Sequence, residues 1–179
     1  MKIICSATVS VALVVFSMPL ANAAPRAKAE SQAVQARALL EDVDSLSASL
    51  VDTADRLALG AKSQGSESQR DELDVLRSDI NRIGHDLSIL QAEEQSLPAW
   101  ESSTIEEVLP LMQEAATTTQ AAIENYNENR NHLWSTDFPD EAARVYSDAE
   151  RAKRVLDSKL KLAAVRNEEQ RIESGLNQK

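Results

Sequence analysis

The sequence predicts an all-α protein, an antiparallel up-down-up-down four-helix bundle that follows an N-terminal signal peptide. Three observations lead there. The chain opens with Lys2 and an uncharged apolar run from Ile3 to Phe16, the layout of an export signal. Beyond residue 23 the composition is dominated by helix formers, and four stretches carry apolar residues at alternating steps of three and four. No part of that region shows the alternating Val, Ile and Thr of strands, and its glycines are only Gly60, Gly65, Gly84 and Gly175.

The leader is expected to span residues 1–23. Ala21 and Ala23 supply the small side chains that signal peptidase requires, and Pro19 breaks the apolar helix just before them. The run from Ile3 to Leu20 approaches the roughly 20 residues of a membrane span, but the small-residue site behind it favours cleavage. Cys5 precedes the apolar run, whereas a lipidated cysteine would follow it. Cleavage removes Lys2 and Cys5, taking the formal net charge from −10 to −11. The remainder has no cysteine, which excludes disulfides and thiol chemistry. The expected location is exported, periplasmic or extracellular. Acidity argues against nucleic acid and, once the leader is gone, against anionic membrane surfaces, since both repel a negative chain.

Residues 24–33 are expected to be a flexible start, 34–166 the bundle, and 167–179 a polar tail that overhangs the core or frays. The first helix runs from about Ala27 to Leu59 with a seam of Leu39, Val43, Leu46, Leu50, Thr53 and Leu57, and Gly60 stops it. Ala61 to Ser66 is a polar loop. The second helix, about Glu67 to Gln95, has the most regular repeat: Leu73, Leu76, Ile80, Ile83, Leu87 and Leu90. Gly84 beside it suggests close approach by a neighbouring backbone. The third helix should start at Ser102 to Thr104 with a capping box from Ser103 and Glu106 or Thr104 and Glu107. Its seam is Ile105, Val108, Met112, Ala115, Thr119, Ala122 and Tyr126, with Pro110 as a kink. Asn125 to His132 should fray.

The fourth helix starts near Pro139 with Asp137 as N-cap. Val145, Ala149, Ala152, Leu156 and Ala163 form its seam, flanked by Tyr146, Val155, Leu160 and Leu162. The Ala and Thr positions predict close packing of the third helix on the fourth. Trp134 and Phe138 should plug one end of the bundle and Trp100 the other.

Bundles that carry haem or paired metals use inward His, Met, Cys or carboxylates. Here Met112 lies on a seam, while His85 faces outward and His132 lies beside a helix end. Residue 82 is Arg and residue 129 is Asn, so neither histidine completes a Glu-x-x-His motif. Glu128 and His132 share a helix face without an evident third ligand. Glu41, Asp42 and Asp44 lack the spacing of a calcium loop. No nucleophile elbow or phosphate loop occurs. The expectation is a protein that is not an enzyme, with no catalytic, cofactor or metal residues and no cofactor.

Two functions fit. The first is a non-catalytic protein–protein interaction, adaptor or chaperone-like module of the cell envelope. Leu162, Val165, Ile172 and Leu176 suggest an apolar stripe for a partner helix or for self-association. The alternative is a small-molecule sensor or carrier, its ligand lodged between helices near the Pro110 kink or the Trp134 and Phe138 end. Thr117, Thr118, Thr119, Asn125 and Tyr126 would supply polar groups.

Overall fold

A computed structural model describes residues 23–60 and 65–176, with side chains from residue 32 onward. Residues 1–22, 61–64 and 177–179 lie outside the described part, and with them the expected leader except for Ala23. Four helices make up nearly all of it: α1 (Ala23–Gly60), α2 (Ser66–Ala92), α3 (Ala99–Asn129) and α4 (Phe138–Leu176). Two single 3-10 turns, Glu94–Ser96 and Leu133–Ser135, link α2 to α3 and α3 to α4. There is no strand among the described residues.

The four helices pack together around one apolar core. Leu73, Leu76, Ile83, Leu87 and Leu90 of α2 are all buried, with Ile80 half-buried beside them. On α3 the whole expected seam from Ile105 to Tyr126 is buried, and so is that of α4 from Val145 to Ala163. Ridges three and four residues apart thus interlock as an amphipathic helix requires. On α1 the buried line runs through Ala36, Leu40, Val43, Leu46, Leu50, Ala54 and Leu57. Leu40 is therefore the core leucine and Leu39 only its half-buried neighbour. Ala36, four residues before Leu40, fixes that phase.

The small residues of α4 serve two neighbours. Ala149 and Ala152 are fully buried, and α4 packs as extensively on α1 as on α3. The expected close packing of α3 on α4 is present, and α1 lies against α4 to the same extent. Two buried hydroxyls are accommodated locally: Ser47 Oγ donates to the Val43 carbonyl at 2.7 Å and Thr104 Oγ1 to the Trp100 carbonyl at 2.6 Å, the usual refuge for a hydroxyl inside a helix.

Helix ends depart from expectation in instructive ways. α3 begins at Ala99 behind Pro98, with no side-chain cap. The Ser103 hydroxyl instead donates to Glu107 Oε1 at 3.1 Å, so no capping box forms. Trp100 packs against the core from this extra first turn, and that burial outweighs a cap worth about 1 kcal/mol. At the start of α4 the Asp137 carbonyl accepts the Glu141 N–H at 2.9 Å, while the side-chain acceptor is Thr136 Oγ1, 3.3 Å from the Phe138 nitrogen. Asn125 does not mark a frayed end, since α3 runs on to Asn129, whose Nδ2 donates to the Asn125 carbonyl at 3.3 Å.

Phe138 is buried as a plug, but Trp134 is 61% exposed, and Leu133 takes the inward place beside Phe138. The turn Leu133–Ser135 is too short to turn both neighbouring side chains inward. Gly84 faces solvent, and a Cβ built there meets nothing within 4 Å. No backbone approaches it.

Candidate functional site

The most distinctive surface is one face of α4. Arg151, Val155, Ser158, Leu162, Val165, Glu169, Ile172 and Leu176 follow one another at alternating steps of four and three, which places them in one line along the helix. This line is out of phase with the buried seam of Leu156 and Ala163, so it turns away from the core. Leu162, Val165, Ile172 and Leu176 are 48%, 55%, 54% and 69% exposed. Residues 164–176 are all exposed and helical: the expected polar tail is, through Leu176, a continuation of α4.

Further up the same helix, the line enters a furrow between α3 and α4. One stretch, about 660 Å³, is bounded by Pro110, Leu111 and Val155 among apolar side chains and by Glu107, Glu114, Arg151, Arg154 and Lys159 among charged ones. A second, about 560 Å³, shares Pro110 and Glu114 and adds Thr117, Thr118, Arg144 and Asp148. Pro110 is exposed in mid-helix. Across the furrow Lys159 Nζ lies 2.7 Å from Glu107 Oε1, a bond that, with Ser103, holds the Glu107 carboxyl below its ordinary range. Burial pushes Asp148 up, helped by the Glu114 charge and opposed by Arg151.

The other residues singled out by sequence are dispersed. Glu41 pairs with Arg37 on its own helix at 3.0 Å, Asp42 with Arg82 of α2 at 2.9 Å, and Asp44 lies 3.6 Å from Lys153 of α4. The three acids of α1 thus belong to three separate ion pairs. Asp86 is held above the usual carboxylate range by burial and then by Asp42 beside it. Glu128 and His132 line a shallow hollow with Asn127 and Arg130. Among the described residues, no group of three or more His, Cys, Asp or Glu gathers as a metal site would need.

Tyr126 donates its hydroxyl to the Ser66 carbonyl at 2.7 Å, and Asn125 donates to Glu141 Oε2 at 3.2 Å. Both tie helices together. Thr119 is buried, leaving Thr117 and Thr118 in the furrow. The hollow near the Trp134 and Phe138 end is walled by polar groups such as Glu124, Asn125, Asp137 and Glu141, and neither aromatic residue lines it.

Sequence reasoning missed Glu101. It sits in the first turn of α3 with only 2% of its surface exposed, and its Oε2 has no hydrogen-bond partner in the protein. Burial pushes its carboxyl up to about 7, with Arg37 pulling modestly the other way. No sequence signal separates this acid from the many solvated ones.

No protein-family model, curated protein or solved structure matches the chain. Function must therefore be argued from its own surfaces.

Proposed function

We propose that this protein is a non-catalytic interaction module of the cell envelope, an adaptor or chaperone-like bundle exported behind a leader cleaved after Ala23. The observation that carries this reading is the outward line of Leu162, Val165, Ile172 and Leu176 on α4. Exposed apolar residues scattered singly are ordinary, but several aligned on one helix face mark a contact surface.

The scaffold for it is an up-down-up-down bundle in which each helix runs against the next. Several contacts support this alternation. Arg56–Glu72 and Asp42–Arg82 join α1 to α2 at positions that rise on one helix as they fall on the other. Glu107–Lys159 and Asn125–Glu141 do the same for α3 and α4. Tyr126 reaches Ser66 at one end of α2 and α3, while only a short link joins their other ends.

Pull-down of the naturally processed protein from its envelope or secreted fraction, compared with Leu162→Ser/Ile172→Ser, tests the reading. The variant should lose the proteins that the native chain captures, and the N-terminal peptide should begin at Ala24. Identical capture by both would defeat the assignment to this face, and a peptide intact from Met1 through Pro25 would defeat export by cleavage.

A second reading rests on the furrow at Pro110. An apolar floor with charges of both signs suits a small zwitterion, although so open a furrow buries little of a ligand compared with a closed pocket. A thermal-shift screen with free amino acids checks it: stabilisation should vanish in Leu111→Trp, which would fill the floor.

A further inference from the structure

We propose that the occupant of the α4 face is a second copy of this chain, with the two α4 ends lying antiparallel from Lys161 to Leu176; this deepens the interaction reading above and rests on it. The argument begins with the distribution of charge along the line. Lys161 and Arg166 flank its first half, whereas Glu169 lies on it and Glu173 flanks it in the second half. None of these four lies in a salt bridge among the described residues, although Lys161 is near enough to Asp44 of α1 to act on its carboxyl, while the intervening Arg171 is held by Glu168 on its own chain at 2.9 Å.

Two such segments side by side in the same direction would set base against base and acid against acid. Turned about a two-fold axis, each basic half meets the other's acidic half, and the apolar residues between them meet across the axis. A self-complementary patch of this kind is what a two-fold dimer needs. The same charge pattern disfavours a lipid surface, because the acidic half faces the negative headgroups that the basic half would seek.

The contact is modest. Residues 161–176 span roughly 24 Å of helix, which puts the interface at the small end of specific ones and the affinity in about the micromolar range. Association should therefore be reversible and visible only as concentration rises.

Analytical ultracentrifugation of the naturally processed protein across a concentration series tests this. A monomer–dimer equilibrium is expected. Leu162→Ser/Ile172→Ser should weaken it roughly a hundredfold, since two apolar side chains per copy leave the contact. Lys161→Glu/Arg166→Glu and Glu169→Lys/Glu173→Lys should each be monomeric alone, and mixing the two should restore a dimer. All these positions are exposed, and thermal melts will show that the variants fold.

A native chain that stays monomeric to about millimolar concentration overturns the proposal, as does a dimer indifferent to the charge variants. If the native chain is monomeric yet captures a different protein through Leu162 and Ile172, the interaction reading stands and self-association falls. If it instead co-sediments with phosphatidylglycerol vesicles and the serine variant does not, a membrane is the occupant and both readings fall.

Discussion

Replacing Glu101 by Gln should stabilise the protein at alkaline pH and do little at acid pH. The side chain is almost wholly buried, one carboxyl oxygen lacks a hydrogen-bond partner in the protein, and burial lifts its titration from 4.5 to about 7. In the unfolded chain the same group ionises near its ordinary value. Between those two pH values the folded state therefore holds more protons than the unfolded state, and stability falls as pH rises. At about 1.36 kcal/mol per pH unit, the interval amounts to about 3 kcal/mol, fully lost once the pH passes 7. Gln keeps the shape and polarity but cannot ionise. Denaturant midpoints for both proteins at pH 5, 6, 7 and 8 provide the assay. The Gln variant should gain on the native chain from pH 5 to about 7 and then level off, by about 3 kcal/mol at pH 8. Asp44, Asp86, Glu141 and Asp148 are also raised, burial being the largest cause in each, but they are common to both proteins and cancel in the difference. A difference that does not change with pH, or one that moves in favour of Glu101 as pH rises, would refute the reasoning.

Further perturbations probe the scaffold. Ile83→Ala removes a fully buried side chain from the middle of α2 and should cost about 2–5 kcal/mol by chemical denaturation; an unchanged midpoint would remove this seam from the core. Gly84→Ala, one residue on, should raise stability by about 1 kcal/mol, because the added methyl meets nothing and the helix gains propensity. Trp134→Ala should change stability by less than about 0.5 kcal/mol, since the ring is largely in water, and its removal should leave a fluorescence spectrum dominated by the half-buried Trp100.

Much of the fold was legible because alternating steps of three and four leave few options for which side of a helix is wet. The seams of α2, α3 and α4 follow from spacing alone. The phase of α1 was harder: Leu39 and Leu40 both fit a step to Val43, and the residue that decides, Ala36, is indistinguishable by composition from the other alanines around it. Trp134 beside Phe138 reads as an end plug, yet a short turn lets the smaller Leu133 fill the space. Gly84 invited a packing explanation although it only weakens an exposed surface. The outer line of α4 could be read because its leucines fall out of phase with the alanines behind them. The furrow could only be glimpsed through Pro110, since its other wall depends on which helix lies beside α3. Glu101 was invisible, because burial of an acid in a first turn is decided by packing at the bundle end.

The two faces of α4 explain each other. Its inner seam is poor in volume: Ala142, Ala149, Ala152 and Ala163 are buried where α1 and α2 present leucines. Small side chains let two neighbouring helices approach one backbone, and α4 packs on α1 and α3 to an equal extent. The large apolar residues of its lower half are placed outside, at Leu162, Val165, Ile172 and Leu176, where they add nothing to this core. Folding alone would be served as well by polar residues there, as it is at Ser147 and Ser158 higher on the helix. Four apolar side chains kept in line on a helix otherwise rich in charge are thus unexplained by the core, and the proposed contact between molecules rests on them.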